Sequence, residues 1–96
     1  IPMIEAHFKP VVEHLIANGR GTIAQDISYT LREIPNHPRA LNTASKFEYR
    51  QANDVVFRSK HRDKLVATAE CFFKRAVKLY PKDSSVYHVY GIHLYR

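Results

Sequence analysis

Residues 69–96 read AECFFKRAVKLYPKDSSVYHVYGIHLYR, and small and aromatic residues recur there at helical spacing on both sides of a proline. The recurring positions are Ala69, Phe73 and Ala76 before Pro81, and Tyr87, Tyr90, Gly91 and Leu94 after it. Two antiparallel helices approach closely where small side chains of one face large side chains of the other. Because proline cannot continue a helix, the stretch predicts two helices that pack together across a turn at Pro81.

An earlier part of the chain repeats this pattern less regularly. Its positions are Ile23, Ile27 and Thr30 before Pro35, and Leu41, Ala44 and Ser45 after it. Together with the turn PNHPRAL at residues 35–41, the two copies resemble the tetratricopeptide repeat, and the chain is similar to small bacterial proteins of that family. The resemblance implies a short α-solenoid of stacked antiparallel helix pairs, with about two repeats and the first helix of a further one.

The spacing of the two copies departs from the family. Pro35 and Pro81 are 46 residues apart, whereas the family repeats every 34 residues or about that. The difference predicts an insertion in the third helix and in the loop that follows it.

The whole chain has the periodicity of helices. Apolar residues recur every three or four positions, and no segment alternates with a period of two for long, which predicts one all-α domain over residues 1–96 with about five helices. The predicted starts are Pro10, Thr22 with Gln25 as a capping box, Pro38 with Asn36 or His37 as cap, Asp63, and Ser85. The first helix is expected to bury Val11, Val12, Leu15 and Ile16 and to end at Gly19. Residues 1–9 are predicted to be extended, and the weaker pattern near 52–63 predicts an irregular loop.

Charge favours acidic partners. Fifteen Lys and Arg against nine Asp and Glu give a formal charge of +6. The densest basic group consists of Arg58, Lys60, His61, Arg62 and Lys64. This group is interpreted either as a solvated helix end or as a site for a polyanion, which makes nucleic-acid binding the alternative function.

No apolar run approaches the roughly 20 residues that cross a bilayer, so a soluble chain without membrane insertion is expected. The sequence leaves the compartment open between the cytoplasm and, if an export signal was removed, the periplasm. The only cysteine, Cys71, excludes an internal disulfide and is predicted to be a small core residue.

Enzyme signatures are missing from the sequence. His88 and His93 are five apart, not four as in a helical zinc site, and no HExxH occurs. Asp83 and Ser84 are interpreted as helix caps rather than as parts of a nucleophilic site. NGRG at 18–21 lacks the Lys-Ser or Lys-Thr of a phosphate loop. A non-catalytic protein with no cofactor and no metal is therefore expected.

The resemblance also implies where a ligand binds. In these solenoids the first helix of each repeat lines a concave groove. The expected groove residues are Arg39, Asn42, Lys46, Tyr49 and Arg50 from the third helix, and Ser85, His88, Ile92 and Tyr95 from the fifth. Their cationic and aromatic side chains suit an acidic or carboxylate-bearing peptide, so the predicted function is a scaffold or adaptor module. The alternative interpretation of the same residues is a solvated helix face.

The last predicted helix has no partner in this scheme. Repeats bury their apolar faces only by stacking. Either the chain belongs to a longer array, or a second copy covers the aromatic face of this helix in a homodimer.

Overall fold

The computed structural model describes residues 8–15 and 22–96, and every regular element within these ranges is an α-helix. The helices are α1 (Pro10–Glu13), α2 (Ile23–Glu33), α3 (Pro38–Asn53), α4 (Val55–Lys60), α5 (Ala69–Leu79) and α6 (Ser84–Tyr95). The all-α prediction is confirmed over this part of the chain. Residues 1–7 of the segment predicted to be extended over 1–9, the side chain of Val11, and Ile16 and Gly19 lie outside the described residues. The first helix, predicted to reach Gly19, ends at Glu13 instead, and Leu15 has a positive φ of 62°.

Side-chain caps fix where the helices begin. Thr22 Oγ1 accepts a hydrogen bond from the Gln25 amide at 3.1 Å, and Gln25 Oε1 accepts one from the Thr22 amide at 3.2 Å. This pair is the capping box that the sequence predicted. His37 Nδ1 accepts from the Ala40 amide at 3.1 Å and caps α3 in the same manner.

The helix pairs α2–α3 and α5–α6 repeat one another at an offset of 46 residues. Both α2 and α5 have 11 residues, follow a capping threonine and end two residues before a proline. The residues that end these helices have nearly the same backbone angles, φ −131° and ψ 87° at Ile34 and φ −133° and ψ 66° at Tyr80. Asn36 Nδ2 donates to Asp83 Oδ2 at 2.8 Å, so the two turns are in direct contact.

Helix α3 is the centre of the fold, because it packs against each of the other five helices of the described ranges. Small side chains on two sides of α3 let neighbours approach from different directions. Its buried residues are Ala40, Leu41, Thr43, Ala44, Ser45 and Phe47. The core continues into α2 through Ile23, Ile27 and Leu31, and into α5 through Phe72 and Phe73.

The contact between α5 and α6 differs from the prediction. Phe73 stacks on Tyr90 with ring centroids 4.8 Å apart, and Val86 is fully buried. Gly91, however, faces open space, since a Cβ added there would meet no atom within 4 Å. Tyr87 is 47% exposed. The expectations that Gly91 lets the two helices approach closely and that Tyr87 packs into their contact are therefore wrong, although Ala69 and Ala76 are buried as predicted.

The segment predicted as an irregular loop near 52–63 is mostly helical. Asp54 ends α3 and caps α4 by accepting from the Phe57 amide at 3.0 Å. Phe57 is buried against Phe47, whereas Val55 and Val56 are exposed. The irregular connection lies at 61–68, and α5 begins at Ala69 rather than at Asp63.

Cys71 lies on the outer side of α5 and is exposed, so its expected place in the core is also wrong. No helix in the described part of the chain has the length and apolar character that a bilayer span requires.

Candidate functional site

A basic cleft lies where the end of α1, the middle of α3 and the end of α6 meet. It is lined by His14, Leu15, Lys46, Tyr49, Arg50 and Arg96 and encloses about 310 Å³. Lys46, Tyr49 and Arg50 share one face of α3, because they are three or four residues apart. No carboxylate is among the side chains that line this basic cleft.

Two cations of the basic cleft bond only to neutral acceptors in the described structure. Lys46 Nζ donates to the Glu13 carbonyl oxygen at 3.1 Å. Arg96 Nη1 donates to Ser45 Oγ at 2.7 Å and to Asn42 Oδ1 at 3.1 Å. Neutral acceptors hold these side chains in place without an ion pair in the described ranges, although the Glu13 carboxylate, itself paired with Arg39, lies close enough to Lys46 to interact with its charge. The basic cleft therefore attracts anions.

The third cation has a carboxylate partner. Arg50 donates to Asp54 at 3.3 Å, and its guanidinium lies 4.1 Å from the centroid of the Phe57 ring. The ion pair is exposed and thus weak, because water screens both groups. A ligand carboxylate that displaces Asp54 would find the guanidinium already oriented by the ring.

Arg39 does not belong to the basic cleft. Its guanidinium donates to both carboxylate oxygens of Glu13, at 2.7 Å from Nε and with a second bond from Nη2. This hydrogen bonding lowers the pKa of Glu13. The pair joins α1 to α3 and neutralises the charge of Arg39.

The structure separates the predicted groove residues into three groups. Lys46, Tyr49 and Arg50 line the basic cleft, and Asn42 borders it through its bond from Arg96. Arg39 is bound to Glu13 nearby. The α6 residues Ser85, His88, Ile92 and Tyr95 are exposed and do not line the basic cleft, with Tyr95 96% exposed. The basic cleft thus contains residues of the predicted α3 set and none of the predicted α6 set.

Two polar members of the basic cleft escaped the sequence reasoning, and the third lining residue that was not predicted there is the apolar Leu15. His14 comes from the end of α1, which has only four residues and so gives little periodic signal. Arg96 lies 50 residues beyond Lys46 in the sequence, and only the packing of α6 on α3 brings the two together. The 46-residue offset carried one usable hint, because it places Arg96 at the position equivalent to Arg50.

A second polar network, also unforeseen, joins α3, α5 and α6. His93 Nδ1 lies 2.8 Å from Ser45 Oγ, and His93 Nε2 lies 3.6 Å from Glu70 Oε1. Tyr90 donates to the other Glu70 oxygen, which raises the pKa of the tyrosine. A serine that contacts a histidine, which in turn contacts a carboxylate, is also the arrangement of a nucleophilic triad. Here Ser45 is 2% exposed and is already bonded by Arg96, so the network fastens helices together.

The densest basic group of the sequence forms a separate surface, the 58–64 patch. Arg58, Arg62 and Lys64 line a cleft of about 370 Å³ that also contains Glu48. Arg58 Nη1 donates to the Gln51 carbonyl oxygen at 3.1 Å, whereas Arg62 and Lys64 are exposed. Residues 8–15 and 22–96 contain no group of three His, Cys, Asp or Glu that could hold a metal ion.

Comparisons with protein-family models, with curated proteins and with solved structures found no match to this chain. The tetratricopeptide resemblance accordingly remains a prediction from the residues.

Proposed function

We propose that the chain is a non-catalytic binding module that captures an acidic or carboxylate-bearing peptide in the basic cleft. The observation that carries this proposal is the convergence of Lys46, Arg50 and Arg96 beside Tyr49 with no carboxylate among the lining residues. Cationic donors that are held by neutral groups are preorganised for an anion and lose little freedom when they bind it.

The peptide class follows from the chemistry of the lining. Each cation suits an Asp, a Glu or a terminal carboxylate through a charge-assisted hydrogen bond. Tyr49 is about half exposed and offers a flat apolar surface with a polar tip, which suits a side chain next to the carboxylate. The stacked helix pairs, proposed here to be tetratricopeptide-like, supply a rigid support for the surface.

Fluorescence anisotropy with a dye-labelled octapeptide tests the proposal. The peptide consists of Asp and Glu around one Phe and has a free carboxylate, and the matched control replaces each acid by its amide. The acidic peptide is expected to bind with micromolar affinity and the amide peptide at least about tenfold more weakly, because each charge-assisted bond contributes roughly 1.5–3 kcal/mol.

Matched variants locate the site. Lys46→Gln and Arg96→Gln should each weaken binding about three- to tenfold. Loss of a charge-assisted hydrogen bond in a buried site would have a larger effect, but this cleft is open to water. Tyr49→Ala should also weaken it. Arg62→Gln removes the same charge from the 58–64 patch and should change affinity less than about twofold. Absence of binding, or an equal effect of Arg62→Gln and Lys46→Gln, would contradict the proposal.

The 58–64 patch supports a second candidate, the binding of nucleic acid. Arg58, Arg62 and Lys64 line one cleft, and Lys60 and His61 belong to the same segment of the chain. This candidate predicts that the affinity for short single-stranded DNA and RNA falls steeply with salt, because phosphate contacts release counterions. Arg62→Gln should then weaken binding and Lys46→Gln should not, which is the reverse of the result expected for the peptide.

A further inference from the structure

A second cleft lies between α2 and α5 and shares no lining residue with the basic cleft. It encloses about 510 Å³ and is called here the α2–α5 cleft. Ser28, Tyr29 and Arg32 form one wall, since they lie on a single stripe of α2. Phe72 and Arg75 of α5 form the other wall, and Val66 of the 61–68 connection lies at the rim with 82% exposure.

Arg75 is held in the α2–α5 cleft by a consequence of Pro35. The Leu31 carbonyl would accept a hydrogen bond from residue 35 if α2 continued, but proline has no N–H. Arg75 Nη2 donates to this carbonyl instead. One bond leaves most of the guanidinium unused, and the Nε–H is buried without an acceptor among the described residues.

Arg75 is partly buried and bonds only to a neutral carbonyl among the described residues, so no anion there balances its positive charge. Buried polar groups normally have a partner, and a buried arginine is normally paired with an anion. The lining of the α2–α5 cleft contains two arginines and no carboxylate, and the one carboxylate partner of these arginines within residues 8–15 and 22–96 is Glu33, which forms an exposed ion pair with Arg32 at 3.7 Å. The guanidinium carbon of Arg75 lies 5.6 Å from the Phe72 ring centroid, and that of Arg32 lies 5.2 Å from the Tyr29 ring centroid.

We infer that the α2–α5 cleft binds a small organic acid in which a carboxylate lies next to an aromatic ring. The carboxylate would complete the charge of Arg75 with Arg32 as a second donor, and the ring would lie between Phe72 and Val66. The volume suits a small molecule, because ligand pockets commonly enclose about 300–1,000 Å³. This site is independent of the peptide site proposed above.

Phenylacetate is the probe, and amide chemical shifts in a ¹⁵N-labelled sample are the readout. Saturable shifts are expected in α2 and in residues 66–75, with a dissociation constant on the order of 1–10 mM for a ligand of this size. Phenylacetamide keeps the ring without the charge, and acetate keeps the charge without the ring. Each should bind at least about fivefold more weakly than phenylacetate, since each lacks one of the two matched groups.

Variants assign the site. Arg75→Gln should weaken phenylacetate binding about tenfold, while its amide still has a donor for the Leu31 carbonyl. Val66→Glu tests the charge without touching Arg75, because this exposed side chain places a carboxylate at the rim. Val66→Glu should weaken binding about threefold or more relative to its matched control Val66→Gln. Lys46→Gln and Arg62→Gln, which change the basic cleft and the 58–64 patch, should alter it less than about twofold.

Three results would overturn the inference. The first is the absence of saturable shifts in the two walls. The second is equal affinity for phenylacetamide or acetate, because the cleft would then not recognise an aromatic acid. The third is unchanged affinity in both Arg75→Gln and Val66→Glu. The far-ultraviolet circular dichroism of each variant must match that of the parent, and Val66→Glu keeps the test decisive if Arg75→Gln unfolds.

Discussion

The cap of the central helix makes the stability of the molecule depend on one histidine. His37 Nδ1 accepts the Ala40 amide at 3.1 Å, and this acceptor exists only while that nitrogen carries no proton. The ring also meets Phe8 edge-on, with centroids 5.0 Å apart. Burial of the ring, and then the nearby positive charge of Arg39, lower the pKa of His37 in the folded protein.

The sign of the effect follows from that direction. Because the folded pKa of His37 lies below 6.5, the ordinary value for histidine, the unfolded chain takes up the proton first as pH falls. The stabilisation is complete above the unfolded pKa and is lost as pH falls through 6.5 towards the folded pKa. Helix N-caps contribute roughly 0.5–2 kcal/mol, so about 1 kcal/mol should disappear between pH 7.5 and pH 5.5. The neighbouring carboxylate of Glu13 opposes this change only in part.

Urea unfolding at pH 7.5 and 5.5, followed by circular dichroism, measures the effect. A chain of this size loses about 1 kcal/mol of stability per molar urea, so the midpoint should fall by about 1 M over this pH range. His37→Asn keeps an acceptor at the cap and should remove the His37 contribution to the fall while preserving stability at pH 7.5. His37→Ala should lose about 1 kcal/mol at pH 7.5.

His88→Asn is the matched control, because His88 is exposed on α6. It should keep the full pH dependence of the parent. The reasoning fails if His37→Asn retains the parental fall between the two pH values, or if His37→Ala and His37→Asn are equally stable at pH 7.5.

Three further predictions concern packing and exposure. Gly91→Ala should raise the free energy of unfolding by roughly 0.5–1 kcal/mol in thermal melts, because alanine has the higher helix propensity and the added methyl group meets open space. A loss of stability would instead indicate that Gly91 lies in a close contact between helices. Phe73→Ala should lower the free energy of unfolding by about 3–5 kcal/mol, since this ring is fully buried under Tyr90. Tyr87→Ala should lower it by only about 1 kcal/mol, since Tyr87 is half exposed and its hydroxyl donates one exposed hydrogen bond to the Pro81 carbonyl. Cys71 is exposed, so it should react with a thiol reagent such as 5,5′-dithiobis(2-nitrobenzoate) at a similar rate in the native protein and in the urea-unfolded chain. A much slower reaction in the native protein would contradict the exposure of Cys71.

Local signals made the helix boundaries around the two prolines predictable. The capping box at Thr22 and the stop at Pro35 depend on neighbours within four residues, so the sequence contains all the information that they need. Helix α4 was missed because its start is ambiguous in the sequence. Asp54 ends α3 in an extended conformation and then caps α4, and a polar stretch that contains such a capped break has the same composition as a loop.

The register of α6 could not be read from its composition. This helix is apolar on nearly all sides, so several faces compete for the contact with α5. The stacking of Phe73 on Tyr90 and the burial of Val86 decide the face, and they leave Gly91 uncovered. Both interactions depend on residues in separate helices, which local periodicity does not encode.

The candidate site was foreseen only where a single helix contains it. Lys46, Tyr49 and Arg50 share a stripe of α3, so their proximity follows from helical spacing. Arg96 reaches the basic cleft only through the packing of α6. The neutralisation of Arg39 by Glu13 is equally nonlocal, because it depends on how α1 lies across α3.

The contact between the two turns places two tasks on one carboxylate. Asp83 Oδ1 accepts the Ser85 amide at the start of α6, while Oδ2 accepts the Asn36 side chain from the preceding turn. The same carboxylate therefore caps α6 and holds its start against the turn between α2 and α3. Removal of the Asp83 carboxylate would therefore take away the cap of α6 and the contact between the two turns together.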